Sequence, residues 1–177
     1  MSLRKTNVFL IGPMGSGKTA VGKHLALLLR APFRDSDAEI EARTGVDISY
    51  IFSREGEAGF RQREREVIED VTRESPIVLA TGGGAILLPE NRAALHERGF
   101  VAYLETSLTQ QAERVRQGRS RPLLHDVDPL TKLTELMEVR APLYEALADF
   151  TIATDGRKVH LVADAIYGAF KAAQETG

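Results

Sequence analysis

Residues 7–30 constrain the fold more than any other stretch of the chain. Within NVFLIG (7–12), Val8–Ile11 is an unbroken apolar run, the glycine-rich string GPMGSGKT (12–19) follows at once, and Val21, Leu25 and Leu28 then recur at helical spacing up to about Arg30. A continuous apolar run, unlike an alternating one, reads as a strand covered on both faces. A strand joined by a tight turn to an amphipathic helix is half of a parallel β-α-β unit. The turn fits G-x-x-x-x-G-K-[ST] in the context that pattern requires. Consecutive backbone N–H groups in such a loop, with the free donors and positive dipole end of the helix behind them, form a cradle for polyphosphate. Gly12, Met14, Gly15, Ser16, Gly17, Lys18 and Thr19 are therefore candidate nucleotide contacts. Lys18 is expected to reach the β- and γ-phosphates, and the Thr19 hydroxyl to ligate Mg²⁺. A plain connecting turn is the competing reading, and the joint presence of strand, loop, Lys-Thr and helix argues against it.

The rest of the chain keeps this rhythm. Short aliphatic runs at Phe33–Asp35, 77–84, 100–105 and 150–154 alternate with helical patterns at about 36–44, 48–74, 89–99, 107–117, 130–147 and 157–174. Such alternation predicts an α/β, three-layer domain with a five-stranded parallel sheet covered on both faces. Its ligand site is expected at the carboxyl ends of the strands. Two excursions interrupt the pattern, a helical insertion after the second strand and a charged loop, GRSRPLLHDVDP (118–129). The 177 residues, 43% of them hydrophobic and 27% charged, suit a single soluble domain.

A net charge of −2 lacks the basic excess of a nucleic-acid binder, so no nucleic-acid partner is expected. The chain has no cysteine, which removes disulfides, thiolate metal sites and cysteine nucleophiles. The apolar run near the N-terminus is too short for a signal or a membrane span, as is every later run, so no membrane association and a cytoplasmic location are expected. His24, His96, His125 and His160 show no metal-ligand spacing.

The absence of an Asn-Lys-x-Asp base-reading motif speaks against a GTPase. The strand IVLAT ends in Thr81 and three glycines where a Walker B strand would end in Asp, so the metal-side carboxylate must come from elsewhere, and Asp35 or Asp37 in RDSD (34–37) is the candidate. Asp35 and Asp37 suit a division of labour in which one helps hold Mg²⁺ and the other receives or orients the proton of an acceptor hydroxyl. The alternative makes Asp35 or Ser36 a helix N-cap, with Asp37 favouring the first turn's positive end.

GPMGSGKT, DSD (35–37), GEAGFRQRE (56–64), GGG (82–84), RPLL (121–124) and RAPLY (140–144) together resemble the shikimate kinases in order and spacing. The resemblance spans residues 12–144. It implies phosphorylation of the shikimate 3-hydroxyl by MgATP, on the route to chorismate and the aromatic amino acids. It also implies a P-loop kinase fold: a core of about 1–33, 76–111 and 129–177, a substrate-binding region of about 34–62, and a mobile lid of about 112–126. By resemblance Arg61 and Arg140 clamp the substrate carboxylate, a task suited to a guanidinium fork. Asp37 binds ring hydroxyls and helps deprotonate the attacking one. Gly82, Gly83 and Gly84 let the backbone approach the ring, and Glu64 can hold Arg61. Phe60 packs on the ring or fills the core. Arg121 reaches the phosphates from the lid, while Arg114 and Arg157 fall where the family contacts adenine. Arg116 and Arg119 carry no assigned contact, and Tyr144 reads as packing. The family is generally monomeric. Two rival readings remain: another small-molecule kinase, for gluconate or a nucleoside monophosphate, and a nucleotide-binding module without catalysis.

Overall fold

The structure, a computed structural model, describes residues 4–118, 124 and 128–177. Strands β1 (Asn7–Ile11), β2 (Phe33–Asp35), β3 (Val78–Ala80), β4 (Gly99–Glu105) and β5 (Phe150–Ala153) form one sheet in the order β2-β3-β1-β4-β5. Every pairing is parallel, with Val8 beside Val78 and Phe100, and Phe33 also beside Val78. The α-helices among the described residues are α1 (Lys18–Leu29), α2 (Ser36–Thr44), α3 (Ile48–Val71), α4 (Pro89–Arg98), α5 (Leu108–Gln117), α6 (Pro129–Leu147) and α7 (Val159–Glu175). No helix among the described residues is long and apolar enough to cross a membrane.

The unbroken apolar run of β1 is explained by its place at the centre of the sheet. Side chains alternate between faces along a strand. Val8 and Leu10 pack with Val78, Ala102 and Leu104 against α1 and α7, through Val21, Leu25, Ile166 and Phe170. Phe9 and Ile11 pack with Leu79, Val101 and Tyr103 against the other layer, through Ile68 of α3, Leu95 of α4 and Tyr144 of α6. Two buried layers back one sheet, the three-layer arrangement expected from the strand–helix alternation.

Boundaries differ where local chemistry intervenes. The helix after the phosphate loop ends at Leu29 because Arg30 adopts a left-handed conformation (φ 53°), which lets the Ala31 N–H reach back to the Ala26 carbonyl at 3.0 Å. The third strand, expected over IVLAT before the three glycines, spans only Val78–Ala80, and a 3₁₀ turn at Ala85–Leu87 follows the glycines. The helix expected over 48–74 stops at Val71 and is broken at Gly56, which takes φ 71° and ψ −176°. A residue with a Cβ avoids that conformation, so the break sits on the residue that tolerates it. It turns the chain so that Phe52, before the break, stacks near Phe60, after it, with ring centroids 4.9 Å apart.

Candidate active site

The carboxyl ends of β1, β2 and β3 converge, and each contributes a different chemistry. At the end of β1, Gly15 and Gly17 take positive φ (79° and 89°), which shapes the loop into α1. Lys18 is largely buried, and its Nζ donates to the carbonyls of Gly12 (2.6 Å) and Pro13 (2.9 Å) and to Ser16 Oγ (3.4 Å). The ammonium is thus held over the loop, where it can meet a polyphosphate.

At the end of β2, Asp35 uses its two oxygens differently. Oδ1 caps α2 by accepting from the N–H groups of Asp37 (3.0 Å) and Ala38 (3.2 Å), while Oδ2 accepts from Thr19 Oγ1 (2.9 Å). Capping and metal-side placement are therefore compatible on one residue. A hydroxyl and a fixed carboxylate are hard oxygen donors of the kind Mg²⁺ takes along with water and phosphate oxygens. Ser36 is not the cap. Fully buried, its hydroxyl instead accepts from the Gly82 N–H at 2.9 Å, tying β2 to the glycine loop after β3.

Asp37 and Glu64 both lie against Gly82. A Cβ there would fall 2.8 Å from Asp37 Oδ1 and 2.9 Å from Glu64 Oε2. At Gly84 a Cβ would fall 2.3 Å from an Arg61 nitrogen, so a side chain at either glycine would displace the charged groups set against it. Arg61 donates to Glu64 Oε1 at 2.8 Å and to Glu57 Oε1 at 3.3 Å, and its guanidinium lies over the Phe60 ring. Arg140 on α6 is 3% exposed. Burial lowers its pKa, but a guanidinium stays charged in proteins.

These residues line two adjoining recesses. One holds Lys18, Thr19, Asp35 and Arg114 along the phosphate loop. The other holds Arg61, Glu64, Arg140 and Gly84 beside an apolar wall of Ile48, Phe52 and Phe60. Met14, Asp37, Gly82 and Gly83 line both. An anion cradle therefore opens, at Asp37, onto a recess with two guanidinium groups and an apolar side.

Residues 14–171 match the family model described as Shikimate kinase. The chain belongs to the shikimate kinase family. It is 51% identical over 171 residues to the shikimate kinase of Hahella chejuensis, covering 97% of this chain and 89% of that protein. Its structure matches a shikimate kinase from Acinetobacter baumannii in complex with shikimate, with a TM-score of 0.92 and 45% identity over 95% of this chain and 94% of that one. A gluconokinase from Sinorhizobium meliloti, 14% identical with a TM-score of 0.63, shares the fold alone. Shikimate kinases are ATP-dependent phosphotransferases, and the resemblance read from the six motifs is borne out at the level of family, fold and reaction.

Six residues expected around the shikimate kinase acceptor, Asp37, Arg61, Gly82, Gly83, Gly84 and Arg140, line one recess. Arg114 donates to the Gly15 carbonyl at 2.9 Å and borders a further recess with Ser107, Gln110 and Asp155, at the ends of β4 and β5. Hydrogen bonds from the Ser107 hydroxyl and N–H hold the Asp155 carboxyl below its usual range. Arg157 is exposed in the turn after β5, and the residues lining that recess do not include it. Arg121, the expected lid arginine, lies outside the described residues, as do Arg119 and His125. Ile48, Phe52, Ser36 and the Tyr144 hydroxyl belong to the site or its support but carry no sequence signal of their own. Phe60, 4% exposed, both fills the core and lines the recess.

Glu64 gives the site a pH dependence. It is fully buried, and burial pushes its carboxyl up to about 7; the Arg61 charge opposes this shift and the Asp37 charge adds to it. The folded chain thus holds this proton more tightly than the unfolded chain, where the ordinary value is 4.5. The resulting stabilisation is complete below the unfolded value and disappears as pH rises through about 7. Glutamine imitates the protonated form. Melting temperatures of Glu64→Gln and the parent chain should therefore diverge, in the variant's favour, between roughly pH 5 and pH 8. A constant difference across that range would contradict the raised carboxyl.

Proposed function

We propose that the chain transfers the γ-phosphoryl of ATP to the 3-hydroxyl of shikimate, giving ADP and shikimate 3-phosphate on the route to chorismate and the aromatic amino acids. The observation that carries this reading is the shared wall of the two recesses, where Asp37 faces both the phosphate loop and the pair of arginines. Arg61 and Arg140 take the substrate carboxylate, and the apolar wall takes a face of the ring. Asp37 binds the ring hydroxyls and receives the proton of the attacking one. Lys18 neutralises charge on the outer phosphates, and the family resemblance assigns Arg121 the same task from the lid. Gly12, Met14, Gly15, Ser16, Gly17 and Thr19 hold the nucleotide's phosphates, with Arg114 and Arg157 towards the adenine.

Thr19 and Asp35 would hold Mg²⁺, which when bound neutralises phosphate charge. Transfer is direct, without a covalent enzyme intermediate, and rests on positioning and electrostatics. The chain acts as a monomer in the cytoplasm, within a single domain whose 34–62 region carries the acceptor contacts and whose 112–126 region closes over ATP.

ADP release with MgATP, followed in a coupled assay with and without shikimate, tests this. Gluconate and AMP serve as parallel acceptors. Turnover that depends on shikimate and is absent with both controls is the expected result. Turnover with gluconate or AMP alone would leave the phosphate cradle in place and overturn the acceptor assignment.

A further inference from the structure

Gly82 and Gly83 line both recesses and Gly84 continues the wall into one of them, and glycine backbone has no side chain to restrict it. What fixes that wall must come from outside it. On one side the Ser36 hydroxyl accepts from the Gly82 N–H at 2.9 Å. From the other, Tyr144 donates its phenolic hydrogen to the Gly83 carbonyl at 2.5 Å.

Tyr144 lies on α6, one helical turn beyond Arg140, and is fully buried. Its ring stacks on Tyr103 of β4, with centroids 5.0 Å apart and planes 25° from parallel. Packing alone would be met by phenylalanine. A buried phenol is costly unless its hydroxyl finds partners, and here it donates to the Gly83 carbonyl and is also hydrogen-bonded to the Arg140 side chain. Burial raises the Tyr144 pKa far above its usual range against the opposing Arg140 charge, so the hydroxyl remains a donor at every working pH.

Because the peptide unit is planar and trans, fixing the Gly83 carbonyl also fixes the direction of the Gly84 N–H. A Cβ on Gly83 would sit 3.4 Å from an Arg140 nitrogen, so the guanidinium lies beside the loop.

We propose that Tyr144 is a positioning residue for the acceptor site: through the Gly83 carbonyl, its hydroxyl holds the Gly82–Gly84 wall against which the substrate and the Arg140 guanidinium are set. The proposal rests on the shikimate reading of that recess. Ser36 performs the matching task from the β2 side.

The test compares the parent chain, Tyr144→Phe and Ser36→Ala in steady-state kinetics, calorimetric shikimate titration and thermal melting. Tyr144→Phe keeps the ring and its stacking and removes only the hydroxyl. The expected result is a rise of about tenfold in KM and Kd for shikimate, with KM for ATP within about twofold, the size of effect that loss of one hydrogen bond supports. Ser36→Ala should move the same constants in the same direction. An unchanged KM for shikimate in Tyr144→Phe overturns the proposal, as does an equal rise in both KM values accompanied by a lowered Tm. Should Tyr144→Phe fail to fold, Ser36→Ala decides: an unchanged KM for shikimate there overturns the proposal as well. A parent chain that does not turn over shikimate defeats the acceptor reading itself. Normal parent turnover with unaffected variants defeats only the role of Tyr144.

Discussion

Lys18→Ala is expected to lower kcat by about a thousandfold or more, because charge on a transferring phosphoryl group is stabilised mainly by preorganised cations and donors. The structure gives Lys18 that character. Its stem is buried at the start of α1, and its ammonium is already held by Gly12, Pro13 and Ser16. Little side-chain freedom remains to be lost when phosphate arrives. The same contacts give the residue a part in shaping the loop, so melting temperature and ADP affinity need to be measured alongside turnover. A folded variant that still binds ADP but has lost turnover separates catalysis from loop integrity. A kcat within tenfold of the parent would remove Lys18 from the catalytic machinery.

Arg140→Ala is expected to raise KM for shikimate by about a hundredfold while leaving KM for ATP within about threefold, since truncating one partner of a buried charge pair costs several kcal/mol. Arg140 is 3% exposed, so a carboxylate reaching its guanidinium would meet little competing water. It also helps to offset the nearby Glu64 charge. Losing it leaves Arg61 as the remaining guanidinium of that recess, facing the charges of Glu64 and Asp37. Arg140→Lys should recover only part of the affinity, because an ammonium restores the charge but not the planar fork. Parallel steady-state titrations of both substrates decide the matter. An equal loss for ATP and shikimate would count against an acceptor-side role.

How much the sequence disclosed depends on how local each feature is. The phosphate loop occupies contiguous positions between one strand and one helix, so residue order alone carries its geometry. Asp35 is a different case. Its candidacy as a cap and its candidacy as a metal-side acid looked like alternatives, yet Oδ1 caps α2 while Oδ2 accepts from the Thr19 hydroxyl beside the phosphate loop, so the cap does not rule out the second role. Arg61 was legible only through the family pattern, because GEAGFRQRE offers acids that pair with it on any exposed helix. Those pairs exist, to Glu57 and Glu64, and the arginine still faces the recess.

The break at Gly56 was missed because the surrounding residues form good helix on either side, and a single glycine within a helical pattern is usually tolerated. The apolar wall of Phe52 and Phe60 depends on that break. Tyr144 meets a carbonyl 61 positions away, and no periodicity or turn signal reports a contact of that kind. Its reading as a packing residue was correct for the ring and silent about the hydroxyl.

The two recesses differ in how they are encoded. The cradle for the nucleotide is largely one continuous segment, whereas the acceptor recess draws Asp37, Arg61, the glycine loop and Arg140 from separate elements. Most of its remaining lining comes from the excursion between β2, an edge strand, and its neighbour β3. The residues proposed to grip the phosphates and those proposed to choose what receives them are thus carried by different parts of the chain.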